Sequence, residues 1–244
     1  WSDGHALTSE DFRYWFEDEV QYFKAQPRFF RGGKTIGRVE VIDPLRVRFV
    51  FDEPNPLFPE RLASIGMNYE DYTDYIVPAH YLRRYHPKLG DQELIRRSMA
   101  AFKISSPVAL YKRMKMWTNP EHPRLWPWIY RTYAPTAPQT FVRNPYYGVV
   151  DTRGHQLPYL DRLVMDIKTN NLIAVSAANG EPSMQDRQIR YEDHILLLGS
   201  AARNGYEVYH WKSATQSLFT IFPNLNRRID PARPETKLKH DLLN

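Results

Sequence analysis

The chain has no cysteine, which excludes disulfides, thiolate nucleophiles and every cysteine-based metal site. It has no uninterrupted apolar run of about eighteen residues, the least that a membrane-spanning helix needs. The Gly-x-Ser-x-Gly elbow, the Walker-type loop and Gly-x-Gly-x-x-Gly are missing too, and with them the usual marks of serine hydrolases, P-loop NTPases and dinucleotide enzymes. No internal repeat and no low-complexity tract occurs. There is no long basic block: Arg46, Arg48, Arg83, Arg84, Arg96, Arg97, Arg227 and Arg228 are scattered, and the net charge of +5 reads as a solvated surface.

What is present gives little chemistry of its own. The eight histidines are dispersed, and His80 and His86 stand six apart, not at the i, i+4 spacing of a helical ligand pair. No metal site and no cofactor is expected. The carboxylate runs Glu10-Asp11, Glu17-Asp18-Glu19 and Glu70-Asp71 invite a glycosidase reading. Glu17 to Glu19, however, fall on the polar side of an amphipathic helix, so no enzyme is expected.

Apolar periodicity divides the 244 residues into a helix-richer first half and a mixed second half. Thr8 to Asp11 is a helix start, followed by Phe12, Trp15, Phe16, Val20 and Phe23 at helical spacing. Val39 and Val41, then Val47, Phe49 and Phe51, alternate as a hairpin about Asp43-Pro44, with Arg46 and Arg48 on the other face. A short helix over 57–63, a polar aromatic loop around Tyr69, Tyr72 and Tyr75, and helices around Tyr81, over 91–102 and over 108–117 follow. Thr118 to Pro123 is the strongest boundary signal. Beyond it the pattern predicts strands over 126–133, 139–143, 163–167, 206–211 and 217–222, with a Pro-rich hairpin at 134–138. Helices from Asn170 to Asn179-Gly180 and from Tyr191 to Asn204-Gly205 lie between them.

Three segments carry a family resemblance. Arg143 to Leu163, RNPYYGVVDTRGHQLPYLDRL, stacks turn builders with aromatic anchors. Trp1 to Phe12, WSDGHALTSEDF, and Ile76 to Leu82, IVPAHYL, precede it. In order and spacing they resemble the WSDGxPxTAxDF, iiPkHil and RNPYYWKVDTxGNQLPYLD segments of the extracellular solute-binding proteins of ABC importers, in the family that takes peptides, nickel and oligosaccharides. Two positions depart from the pattern: Gly148 stands where the family has tryptophan, and Gly180-Glu181-Pro182-Ser183 replaces a GEID sequence.

The resemblance implies a mixed α/β fold of the class II periplasmic binding protein type, present in part. Residues 1–122 correspond to the small inserted lobe and 123–244 to part of the main sheet-based lobe. The chain begins on Trp1 without a signal peptide, and the resemblance makes it a middle fragment that lacks the second large lobe. The implied function is noncovalent capture of a peptide-like or oligosaccharide solute in an interlobe cleft, with delivery to a membrane permease from the periplasm or another extracytoplasmic space. A monomer that binds no nucleic acid is expected. By position in the family, Phe29, Phe30 and Asn226 are the candidate ligand contacts. Two alternatives come from the residues themselves. One is a carbohydrate-binding or sugar-processing module using exposed aromatics; the other is nucleic-acid binding through the basic surface.

Overall fold

The computed structural model describes residues 1–64, 75–132, 137–210 and 229–237. They pack as two units, Trp1–Ile167 and Lys168–Asn244. The lobe boundary expected at 122/123 refers to a whole two-lobed protein, a different division from these packing units.

In the first unit, helix α1 (Ser9–Tyr14) starts where the sequence places it. Thr8 accepts from the Glu10 amide at 3.3 Å while the Asp11 carboxylate accepts from the Thr8 amide at 3.0 Å, a reciprocal capping box. The expected helix then widens into a π-helical stretch, Trp15–Gln21, which buries Trp15, Phe16, Glu19 and Val20. Two short strands, β1 (Arg31–Gly32) and β2 (Thr35–Ile36), pair across a turn in which Gly33 sits at φ +65°. The expected hairpin forms from β3 (Arg38–Asp43) and β4 (Arg46–Val50), with Val39 opposite Phe49 and Glu40 opposite Arg48. Arg46 and Arg48 face solvent, as the alternation requires.

Helix α2 (Phe58–Ser64), the short α3 (Ala79–Leu82) and a 3-10 turn at Arg83–Tyr85 come next. Asp91 caps α4 (Gln92–Phe102) by accepting from the Glu93 and Leu94 amides, and α4 closes on Lys103 in the left-handed region at φ 55°. Ser106 caps α5 (Pro107–Lys115), with proline at its first position where no donor is lost. Past the Thr118–Pro123 break, strands β5 (Trp128–Tyr130), β6 (Gln139–Arg143) and β7 (Arg162–Met165) form an antiparallel sheet in chain order. The Pro-rich hairpin and the polar aromatic loop fall largely outside the described residues.

The core of this unit is aromatic. Phe30 is fully buried, with the rings of Trp15, Phe51, Phe49, Phe16 and Phe58 centred 5.3 to 6.0 Å away. Most of these contacts are edge-to-face, the arrangement favoured by aromatic quadrupoles. Leu82, Ile95, Leu110 and Tyr111 extend the cluster into the helices.

In the second unit, α6 (Asn170–Ala178) and α7 (His194–Asn204) pack together. Both stop as the sequence indicates, with Gly180 at φ +71° and Gly205 at φ +68°. The strand expected at Tyr206 is not formed over 206–210. Instead the Tyr206 side chain folds back, its hydroxyl donating to the Leu197 carbonyl at 2.6 Å and lying 3.0 Å from Ser200 Oγ. This anchors the segment to α7. The strand expected over 217–222 lies outside the described residues.

Candidate functional site

The three resemblance segments meet in space, and their polar residues do the joining. Asp11 is buried, and its two carboxylate oxygens serve three donors. Oδ2 accepts from Trp1 Nε1 at 3.1 Å and from the Thr8 amide, and Oδ1 accepts from the Ala79 amide at 3.0 Å. One carboxylate therefore ties the WSDG turn, the start of α1 and the start of α3. A buried charge is tolerated only when its lone pairs are used in this way.

The first segment also reaches the third. The Ser2 amide donates to the Arg124 carbonyl and the Arg124 amide to Ser2 Oγ, both at 2.9 Å. Asn144 of the RNPYY run is buried and spans the same place, donating to the Trp126 carbonyl at 2.8 Å and accepting from the Tyr146 amide at 3.0 Å. Gly4, at φ +84°, lies under Tyr146: a Cβ there would stand 3.0 Å from the phenol oxygen. Glycine is required for both reasons.

The remainder of the run is a wrap. Asp151 Oδ1 accepts from the Arg153 and His155 amides, each at 2.8 Å, and Oδ2 from the Tyr159 hydroxyl at 2.6 Å. The Tyr159 hydrogen bond and the backbone donors hold the Asp151 carboxyl below its ordinary value. Gln156 Nε2 donates to the Pro145 and Tyr147 carbonyls. At Gly148, a Cβ would meet no atom within 4 Å. Within this chain, Gly148 is exposed and nothing packs where the family's tryptophan would stand.

Two further polar centres take places not expected from the sequence: Glu19, expected on the polar side of its helix, and His86, in sequence only one of the dispersed histidines, are both buried. Glu19 is buried on the π-helical stretch, accepting from Tyr111 Oη at 2.5 Å and from Lys115 Nζ at 2.6 Å. Burial, then the Glu19 charge, pushes the Tyr111 phenol well above its ordinary value. His86 is also buried; Nε2 lies 2.9 Å from the Asp18 carbonyl while Nδ1 receives the Lys88 and Leu89 amides. That pattern fixes a neutral imidazole with the proton on Nε2. Burial lowers its pKa. Regular helical periodicity puts Glu19 on the polar side with Glu17 and Asp18, and the π-helical stretch buries it instead.

Of the candidate ligand contacts, Phe29 is 7% exposed and Phe30 is fully buried, both in the core cluster. Asn226 lies outside the described residues. Phe29 and Phe30 therefore lie in the core of the first unit, not at its surface. Among the described residues, no group of three or more His, Asp or Glu side chains could hold a metal ion, and no helix is long and apolar enough to cross a membrane.

Comparison with known proteins accounts for a chain whose motifs build a framework. Residues 1–233 match the family described as bacterial extracellular solute-binding proteins, family 5, middle. A solved oligopeptide-binding protein OppA superimposes with a TM-score of 0.71 at 31% identity, covering 85% of this chain and 33% of that one. The periplasmic binding protein MelB of Agrobacterium fabrum C58, solved in complex with stachyose, superimposes at 0.58 with 25% identity, covering 83% of this chain and 28% of that one. The periplasmic alpha-galactoside-binding protein of Rhizobium meliloti (strain 1021) is 28% identical over 172 residues, which are 69% of this chain and 22% of that protein. The chain thus spans between a fifth and a third of the length of these relatives. It carries part of their mixed α/β periplasmic-binding-protein fold, and it belongs to the bacterial extracellular solute-binding proteins of family 5.

Proposed function

We propose that this chain is the framework part of a substrate-binding component of an ABC importer, capturing a peptide-like or oligosaccharide solute without covalent chemistry. The observation that carries this reading is the family match over residues 1–233. The relatives whose names state a ligand bind oligopeptides, alpha-galactosides or stachyose. In this reading residues 1–122 are the small inserted lobe and 123–244 belong to the main lobe. The solute sits in a cleft whose second wall comes from a further lobe, and closure follows from contacts with both walls. The protein works as an exported, extracytoplasmic monomer that hands its solute to a membrane permease.

Calorimetry with short peptides and with tri- and tetrasaccharides of the galactoside type tests the proposal. A longer protein containing all lobes should bind one class, and this chain alone should bind it weakly or not at all. Equal affinity of the two would overturn the two-walled cleft, and binding of neither class by the longer protein would overturn the solute assignment. Phe29, Phe30 and Asn226 remain the proposed contacts. Phe29→Leu and Asn226→Ala should each weaken binding, and unchanged affinity in both removes them from the site.

A further inference from the structure

The net charge conceals an uneven distribution. Between Ala79 and Trp117 there are nine Lys and Arg against two acidic residues, an excess of seven positive charges, whereas the whole chain has an excess of five. The remainder is therefore slightly acidic. This segment is α3, the 3-10 turn, α4 and α5, which pack on one another in the first unit. Arg83, Arg84, Lys88, Arg96, Arg97, Lys103, Lys112 and Arg113 are all exposed.

Among the described residues, the ion pairs to these cations come from Glu10, Asp18, Glu19 and Glu93. Glu10 takes Arg83, Glu19 takes Lys115, and the single carboxylate of Glu93 is shared by Arg96 and Arg97. Asp91 is occupied as the cap of α4. Apolar tips stand among the cations: Leu89, Phe102, Val108 and Met116 are 36 to 49% exposed. Arg113 holds its guanidinium carbon 4.5 Å from the centre of the Phe102 ring, a cation–π contact between a basic and an apolar side chain of this surface.

We infer that the α3–α5 corner is a docking surface for an anionic membrane, with basic side chains on lipid phosphates and apolar tips at the headgroup boundary. Charge complementarity carries the choice of partner. Exposed apolar residues interleaved with cations suit a lipid interface, where both are accommodated together. A nucleic acid would use the cations and leave Leu89, Val108 and Met116 in water. The inference goes beyond solute capture and does not depend on which solute is bound.

Sedimentation of the 244-residue chain with vesicles tests it. Vesicles of phosphatidylglycerol and phosphatidylcholine should retain the chain at low salt and release it near 0.5 M salt, as the Debye length shrinks to roughly 4 Å; pure phosphatidylcholine should not retain it. Each basic residue at an anionic surface is worth about fivefold in affinity. The triple variant Arg84→Gln, Lys88→Gln, Lys103→Asn should therefore bind roughly a hundredfold more weakly. None of the three holds one of the ion pairs named above, and asparagine tolerates the left-handed backbone at position 103, so circular dichroism should show an unchanged fold. No binding to the anionic vesicles at low salt would overturn the inference. So would equal binding by a triple variant that folds normally, or binding to an acidic polypeptide or polynucleotide that outcompetes the vesicles.

Discussion

The two packing units use apolar residues in opposite ways. In the first, the largest rings point inward: Trp15, Tyr14, Tyr111 and Phe30 are fully buried. In the second, the residues buried on α6 and α7 are mostly small, Ala174, Ser176, Ala178 and Ser200 with Leu197, while Leu172, Val175, Ile195, Leu196 and Leu198 are exposed by 47 to 82%. Buried apolar area sets most of the stabilisation. The first unit should therefore hold most of the chain's stability, and the second should tolerate change.

Phe30→Ala is the sharpest way to break that comparison. Removing a ring that packs against six others leaves a cavity lined by aromatics, at a cost of about 3–5 kcal/mol. Urea denaturation should show the loss; a cost below about 1 kcal/mol would mean that the core can collapse around the gap. Glu19→Ala should follow at about 3 kcal/mol, because Tyr111 Oη and Lys115 Nζ both lose the buried carboxylate that accepts from them. Lys115→Met combined with Glu19→Leu should recover part of that loss, as replacing both partners removes the stranded charge.

Smaller effects come from the motif junction and from histidine. Gly4→Ala places a methyl group at φ +84° against Tyr146 and should cost about 1–2 kcal/mol. For His86 the folded pKa is depressed below the ordinary 6.5, first by burial. Protonating Nδ1 would also turn a proton toward the Lys88 and Leu89 amides. The unfolded chain then binds the proton more readily, so His86's contribution is complete above pH 6.5 and declines as pH falls through the folded value. Nuclear magnetic resonance titration of the His86 ring should give a midpoint below 6.5; a midpoint above it would show that the Asp18 and Glu19 charges dominate.

Much of this fold was legible because local signals agreed with one another. Thr8 and Asp91 announce helix starts, Gly180 and Gly205 announce stops, and the alternation from Val39 to Phe51 gives a hairpin. The failures have physical causes. Periodicity placed Trp15 and Phe16 on a helix but could not show its widening into π geometry, which goes with inward placement of Glu19. Tyr206 reads as a strand residue by propensity, yet its hydroxyl finds Leu197 and holds the backbone off a ladder. The function was legible only through resemblance, since Asp11, Asn144 and Asp151 use their polar atoms on the protein's own backbone and side chains and leave no chemical signature.

Helix α7 is where the comparison is finest. Ile195, Leu196, Leu197 and Leu198 are consecutive, and at 100° per residue they cover every side of the helix. Leu197 is 7% exposed and Ile195 is 82% exposed, so one side is packed and the other is open. Ile195→Ser should change stability by less than about 0.5 kcal/mol in urea denaturation, as surface substitutions do. Leu197→Ser, two positions away, should instead destabilise α7 against α6. If Ile195→Ser cost as much as Leu197→Ser, both sides of α7 would be buried in solution, and the contrast between the two units would be one of packing partner instead of packing amount.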